Sequence, residues 1–128
     1  SQQRKMAMVI DMCTSAATEC HAGAQYQLGD MYYGGRGVAR DFEKAAQWFH
    51  KAADQGHVDA QFNVGIVYFH GQGVTQDHKK AAQWFHKAAD QGHVDAQNNV
   101  GNIYHHGLGV AQDHKIAVNC YRKAADQG

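Results

Sequence analysis

The sequence predicts an all-α protein, a solenoid of tandem two-helix repeats. Three observations carry this: an internal period of 36 residues, helical spacing of apolar residues within each period, and glycine clusters between the helical stretches of a chain with 14 glycines and no proline. Ala24, Ala60 and Ala96 recur at that step, as do Gly29, Gly65 and Gly101, then Tyr32, Tyr68 and Tyr104. Gly37, Gly73 and Gly109 follow it too, and so do Gly56, Gly92 and Gly128. The string AAQWFHKAADQGHVDAQ begins at Ala45 and returns unchanged at Ala81. The units are 21–56, 57–92 and 93–128.

The middle unit shows each element. Its first helix is expected from Val58 to Phe69, where Ala60, Val64 and Tyr68 form one apolar stripe. Asp59 falls in the first turn, where a negative charge suits the helix dipole. Gly71, Gln72 and Gly73 end the helix, and Val74 is placed to plug the turn into the core. The second helix starts near Asp77, a favourable N-cap, carries Ala81, Ala82, Trp84, Phe85, Ala88 and Ala89, and stops at Gly92. Gly65 lies inside a helix, where glycine costs about 1 kcal/mol relative to alanine. Its return at Gly29 and Gly101 implies a close helix crossing. One such hairpin cannot hide its apolar faces alone, so the units must stack.

Residues 1–20 fit the same register. A shift of one period sets Ala16 and Ala17 on Ala52 and Ala53, and Met12 and Cys13 on Trp48 and Phe49. They read as a degenerate second helix that caps the N-terminal end. At the other end Gly128 closes a unit with no polar capping helix after it, so the chain reads as a piece cut from a longer protein or as one whose open end meets another chain.

Composition narrows the function. The 12 basic and 12 acidic residues balance to zero with neutral histidine, which argues against nucleic acid or an anionic membrane as partner, since both need a basic excess. The basic runs are short: Arg4 with Lys5, and Lys79 with Lys80. Residues 1–20 do not read as a leader, because Asp11 and Glu19 interrupt them, and no apolar run reaches the roughly 20 residues that span a bilayer. Cys13 and Cys20 would stand roughly 10 Å apart along a helix, too far for a disulfide, and Cys120 is unpaired. All three read as small core thiols in a reducing compartment.

The middle unit's Ala60, Val64 with Gly65, Tyr68, Gly71, Gly73 with Val74, Asp77, Lys80 with Ala81, Trp84 with Phe85, Lys87 with Ala88 and Ala89, and Gly92 resemble the Sel-one-like repeat family, relatives of tetratricopeptide repeats. The resemblance covers residues 21–128 and extends weakly to about residue 5. It implies a right-handed α/α superhelix, a role in assembling protein complexes, and no cofactor. The chain departs from the pattern where Ala39, Thr75 and Ala111 stand in place of a frequent proline, where Cys120 replaces tryptophan, and where Ile116 replaces the lysine matched by Lys44 and Lys80. The per-repeat disulfides of some secreted members have no counterpart here. Compartment does not transfer from the family; the leader-free, disulfide-free sequence leans towards the cytoplasm.

Differences between units concentrate on the first helices at three matched positions: Tyr26, Asp30 and Tyr33; Phe62, Ile66 and Phe69; Asn98, Asn102 and His105. Each trio forms one helical face, roughly 145° from the stripe of Ala60, Val64, Gly65 and Tyr68, so it is expected to point away from the repeat core. First helices line the concave surface of superhelical repeats. The trios therefore outline a groove, aromatic in the first two units and amide-rich in the third, suited to a peptide with apolar anchors. The competing reading packs these side chains on the neighbouring unit's first helix.

The period absorbs most residues that suggest chemistry. His21, His57 and His93 are one position, His78 and His114 another, His50 and His86 a third, His70 and His106 a fourth. Equivalent positions should lie roughly 10–20 Å apart, too far to share a metal, and His105 and His106 face different ways. Gly71, Gln72 and Gly73 recur at every inter-helix turn, which explains them better than phosphate binding. No nucleophile–base motif is present, so no catalytic site, metal or cofactor is expected. The function expected is a scaffold or adaptor that binds a protein or peptide in the concave groove. The alternatives are a self-assembling module that stacks through open solenoid ends, or an accessory domain of a larger enzyme or signalling protein.

Overall fold

A computed structural model describes Arg4 and residues 21–127. The capping helix expected over residues 1–20 lies, apart from Arg4, outside the described residues. Among the described residues there are six helices and no strand: α1 (Ala22–Gly34), α2 (Phe42–Asp54), α3 (Val58–His70), α4 (His78–Asp90), α5 (Val94–His106) and α6 (His114–Gln127). Each packs on the next in chain order, which gives three helical hairpins in a row.

Local chemistry sets the helix ends. The carboxylate of Asp41 accepts from the backbone N–H of Lys44, and that of Asp77 from Lys80, each at 3.0 Å. Asp113 does the same for Lys115 and Ile116 at the head of α6. The first helices use a different cap. Nδ1 of His57 accepts from Ala60 N–H, and Nδ1 of His93 from Ala96 N–H, both at 3.1 Å. One of the recurrent histidine positions is therefore a helix start. At the far end of α3, Gly71 is left-handed (φ 68°) and its N–H reaches the Val67 carbonyl.

The core is continuous, packed within each unit and across the boundary to the next. Ala45, Ala46, Phe49, Ala52 and Ala53 from α2 form one buried cluster with Ala60, Val64 and Val67 from α3, and Val74 packs against it as the sequence suggests. A second cluster joins Ala81, Ala82 and Phe85 of α4 to Val100 and Ile103 of α5. The helix-interior glycines mark the close crossing expected of them. A Cβ on Gly65 would stand 2.6 Å from the Phe85 ring, and one on Gly29 would stand 2.7 Å from the Phe49 ring. Gly73 ties neighbouring units: its φ is +76°, and a Cβ there would stand 2.3 Å from the Phe42 carbonyl oxygen.

Buried glutamines add a polar clamp. Oε1 of Gln61 accepts from Nε2 of Gln91 at 2.6 Å, while its own Nε2 donates to the Ala53 carbonyl. One amide thus joins α2, α3 and the end of α4. Gln25 with Gln55 and Gln97 with Gln127 repeat the pairing. Among the described residues every buried polar side-chain atom has a partner.

Candidate protein-binding clefts

Two clefts open along the first-helix face. The first, about 300 Å³, lies between α1 and α3 and is lined by Tyr26, Asp30, Tyr33, Phe49, Phe62, Asn63 and Ile66. The second, about 210 Å³, lies between α3 and α5 and is lined by Ile66, Phe69, His70, Phe85, Asn99, Asn102, Ile103 and Leu108. Ile66 borders both, so the two form one interrupted groove.

Seven of the nine residues singled out from the sequence meet here: Tyr26, Asp30, Tyr33, Phe62 and Ile66 at the first cleft, with Ile66, Phe69 and Asn102 at the second. Asn98 and His105 are exposed and line neither cleft. His105 instead contacts His114, with their Nδ1 atoms 3.2 Å apart.

The trios flank the core instead of pointing clear of it. Tyr26 and Phe62 are half-buried, with ring centroids 5.9 Å from Phe49 and 5.6 Å from Phe85 respectively. A helical wheel misses this because glycine at 29 and 65 lets the second-helix ring lie across the first helix and reach its flank. The first two trios also touch the neighbouring unit's first helix, as Tyr26 does at Asn63 and Phe62, Ile66 and Phe69 do at the cluster holding Val100 and Ile103. Tyr26 stacks on the cap imidazole His57 at 4.7 Å, and Phe62 on His93 at 4.5 Å, so each ring buttresses the next unit's helix start.

Polar groups are fixed around these rings. Tyr33 donates from its hydroxyl to Oε1 of Gln72 at 2.8 Å, joining the first unit to the second unit's turn. Asp30 pairs with Arg36 at the surface, and Asn102 accepts from the Tyr121 hydroxyl. Burial pushes the Tyr26 pKa up, and the Asp30 and Asp59 carboxylates add to the shift, so its hydroxyl stays protonated and able to donate. Asn63 and Asn99, one unit apart, line successive clefts and were not singled out from the sequence. Their position reads Gln27, Asn63, Asn99, an amide throughout, so variation between units does not mark it.

The clefts offer apolar surface, amides and a carboxylate, groups suited to contact and hydrogen bonding. Among the described residues no three His, Cys, Asp or Glu side chains converge on a common point. Cys120, where the other units carry tryptophan, is half-buried, and burial raises its pKa, which favours the unreactive thiol.

The model of the Sel1 repeat matches at residues 22–57, 58–93 and 94–128, three consecutive copies. The chain belongs to the Sel1 repeat family. Among curated proteins no sequence matches. Among solved structures, c5321, a protective antigen of uropathogenic Escherichia coli strains with an SLR fold, is similar at 39% identity and TM-score 0.90 over 93% of this chain. A Sel1 repeat protein from Oxalobacter formigenes is similar at 38% identity and TM-score 0.81 over 85% of the chain. The chain spans 26% of the first protein and 43% of the second. Cysteine rich protein B of Helicobacter pylori shares the fold at 23% identity and TM-score 0.77, over all of this chain and 92% of its own. The Sel1 repeats here thus form the right-handed α/α solenoid of that family. Sel1 repeat proteins are in general protein-interaction scaffolds, and their fold is typically non-catalytic.

Proposed function

We propose that this chain is a scaffold whose first-helix face binds a segment of a partner protein. The observation that carries the reading is the pair of clefts joined at Ile66, lined largely by first-helix positions that differ between units. The matching ligand is an extended or helical peptide with two apolar anchors, one for each cleft. Asn63 and Asn99 stand beside the anchors, where an amide can pair with peptide main chain.

The test is to pan the whole chain against a displayed peptide library, then measure the selected peptides on Ile66→Ser and on the triple variant of Phe62, Ile66 and Phe69 to Ser. Binding lost in a folded Ile66→Ser protein supports the groove. Binding that survives there, or no selection of apolar-anchored peptides at all, removes it. If the triple variant yields no folded protein while Ile66→Ser still binds, those rings serve as core.

A further inference from the structure

One pair of side chains faces across the turn inside each unit. In the first unit it is Tyr33 and Phe42, with centroids 5.2 Å apart, and in the second Phe69 and His78, at 4.7 Å. In the third it is His105 and His114, at 5.0 Å. The same backbone geometry that packs two rings elsewhere therefore sets two imidazoles edge to face in this unit alone, with their planes at 71°.

Their Nδ1 atoms stand 3.2 Å apart. Zinc binds imidazole nitrogen at about 2.0–2.1 Å. Two nitrogens at that radius and 3.2 Å apart subtend roughly 100° at the ion, close to tetrahedral. Both side chains are exposed, so an ion can reach them and keep water at its remaining positions. His105 lies in the last turn of α5, where the helix dipole favours positive charge. The Asp113 carboxylate, beside His114 in sequence, adds negative charge nearby.

We infer that His105 and His114 form a two-imidazole chelate for zinc(II) through their Nδ1 atoms. On binding, the ring that donates from Nδ1 moves that proton to Nε2 and both Nδ1 lone pairs turn from each other to the ion, so the neutral pair loses no net proton, and binding weakens as the imidazoles are protonated. No third His, Cys, Asp or Glu joins them among the described residues, so the protein supplies two ligands and leaves the rest of the shell open. The inference does not depend on the peptide-binding reading, since His105 and His114 line neither cleft.

The test titrates the untagged whole chain with zinc chloride by calorimetry at about pH 7.5, where imidazole is mainly neutral. His105→Phe copies the phenylalanine–histidine pair of the second unit, and His114→Phe supplies the ring that Phe42 gives the first, so both keep an aromatic contact already present in the fold. One zinc per chain is expected, with affinity falling more than about tenfold in either variant while the melting temperature holds. His70→Gln and His106→Gln should bind as the parent does. Should either phenylalanine variant misfold, histidine ring NMR on the parent chain decides, with zinc expected to shift His105 and His114 together. No saturable uptake, uptake that persists in both phenylalanine variants, or shifts at other histidines instead would overturn the assignment and leave the 3.2 Å contact as a hydrogen bond between rings.

Discussion

The first and second helices of each unit are built on different terms. α2 and α4 share AAQWFHKAAD, bury alanines and a phenylalanine, and start at an aspartate cap. α1, α3 and α5 differ along one face, keep that face half-open, and in α3 and α5 start at a histidine cap. The repeated helix holds the units together, and the varied helix carries the proposed groove. The division is incomplete at Tyr26 and Phe62, which line a cleft on one side and rest on Phe49 and Phe85 on the other. The proposed binding face thereby rests on the core beneath it.

The strongest way to break this comparison is to truncate one residue of each kind. Phe85 is 1% exposed, lies on Gly65 and belongs to the second inter-unit cluster. Phe85→Ala should cost about 3–5 kcal/mol in urea unfolding. Ile66→Ser, on the half-open face, should cost only about 1 kcal/mol. Equal losses would show that the first helix carries architecture as well.

Gln61 comes next. Gln61→Ala leaves the Ala53 carbonyl and the Gln91 amide without their partner, at a cost of about 1–3 kcal/mol. The exposed Gln83→Ala, on the second helix, should move the midpoint little. A small effect at Gln61 would mean that water replaces the clamp.

These two cases also mark where the sequence speaks. Phe85, Gly65, Val74 and Asp77 were legible because packing and capping repeat with the period, and period is what one sequence displays. Gln61 was not, because an amide 5% exposed looks like any surface glutamine until its two partners are placed around it. The site was legible in part for the same reason. Variation between units marked Tyr26, Ile66 and Phe69, but Asn63 and Asn99 vary only within amides. The contact of His105 with His114 spans nine residues across a turn, so it is invisible to a comparison of equivalent positions one period apart.

The histidine cap separates two roles of one residue. His57 accepts from Ala60 N–H and stacks on Tyr26. His57→Ala should lose both and cost about 1–2 kcal/mol. His57→Asp keeps an acceptor for the cap and gives up the stack, so it should recover more than half of the loss. If aspartate recovers nothing, the ring contact across the unit boundary outweighs the cap.

The smallest effect expected is a slope in pH, and it arises on the second helix. Nε2 of His50 lies 3.0 Å from the Tyr68 hydroxyl, and its ring meets the edge of Trp84 at 5.4 Å. Burial lowers its pKa below the ordinary 6.5; Lys80 pushes the same way and Asp54 opposes. Between the lowered value and 6.5 the unfolded chain binds more protons at this site than the folded one, so stability rises with pH across that window. Stability from His50 is complete above 6.5, declines as pH falls through the window, and levels off below the folded value. Urea midpoints taken between about pH 7.5 and pH 5 should therefore fall on acidification. His50→Gln, which keeps a hydrogen-bonding group near Tyr68, should flatten part of that fall. An unchanged slope in the variant would show that the acid sensitivity does not arise at His50.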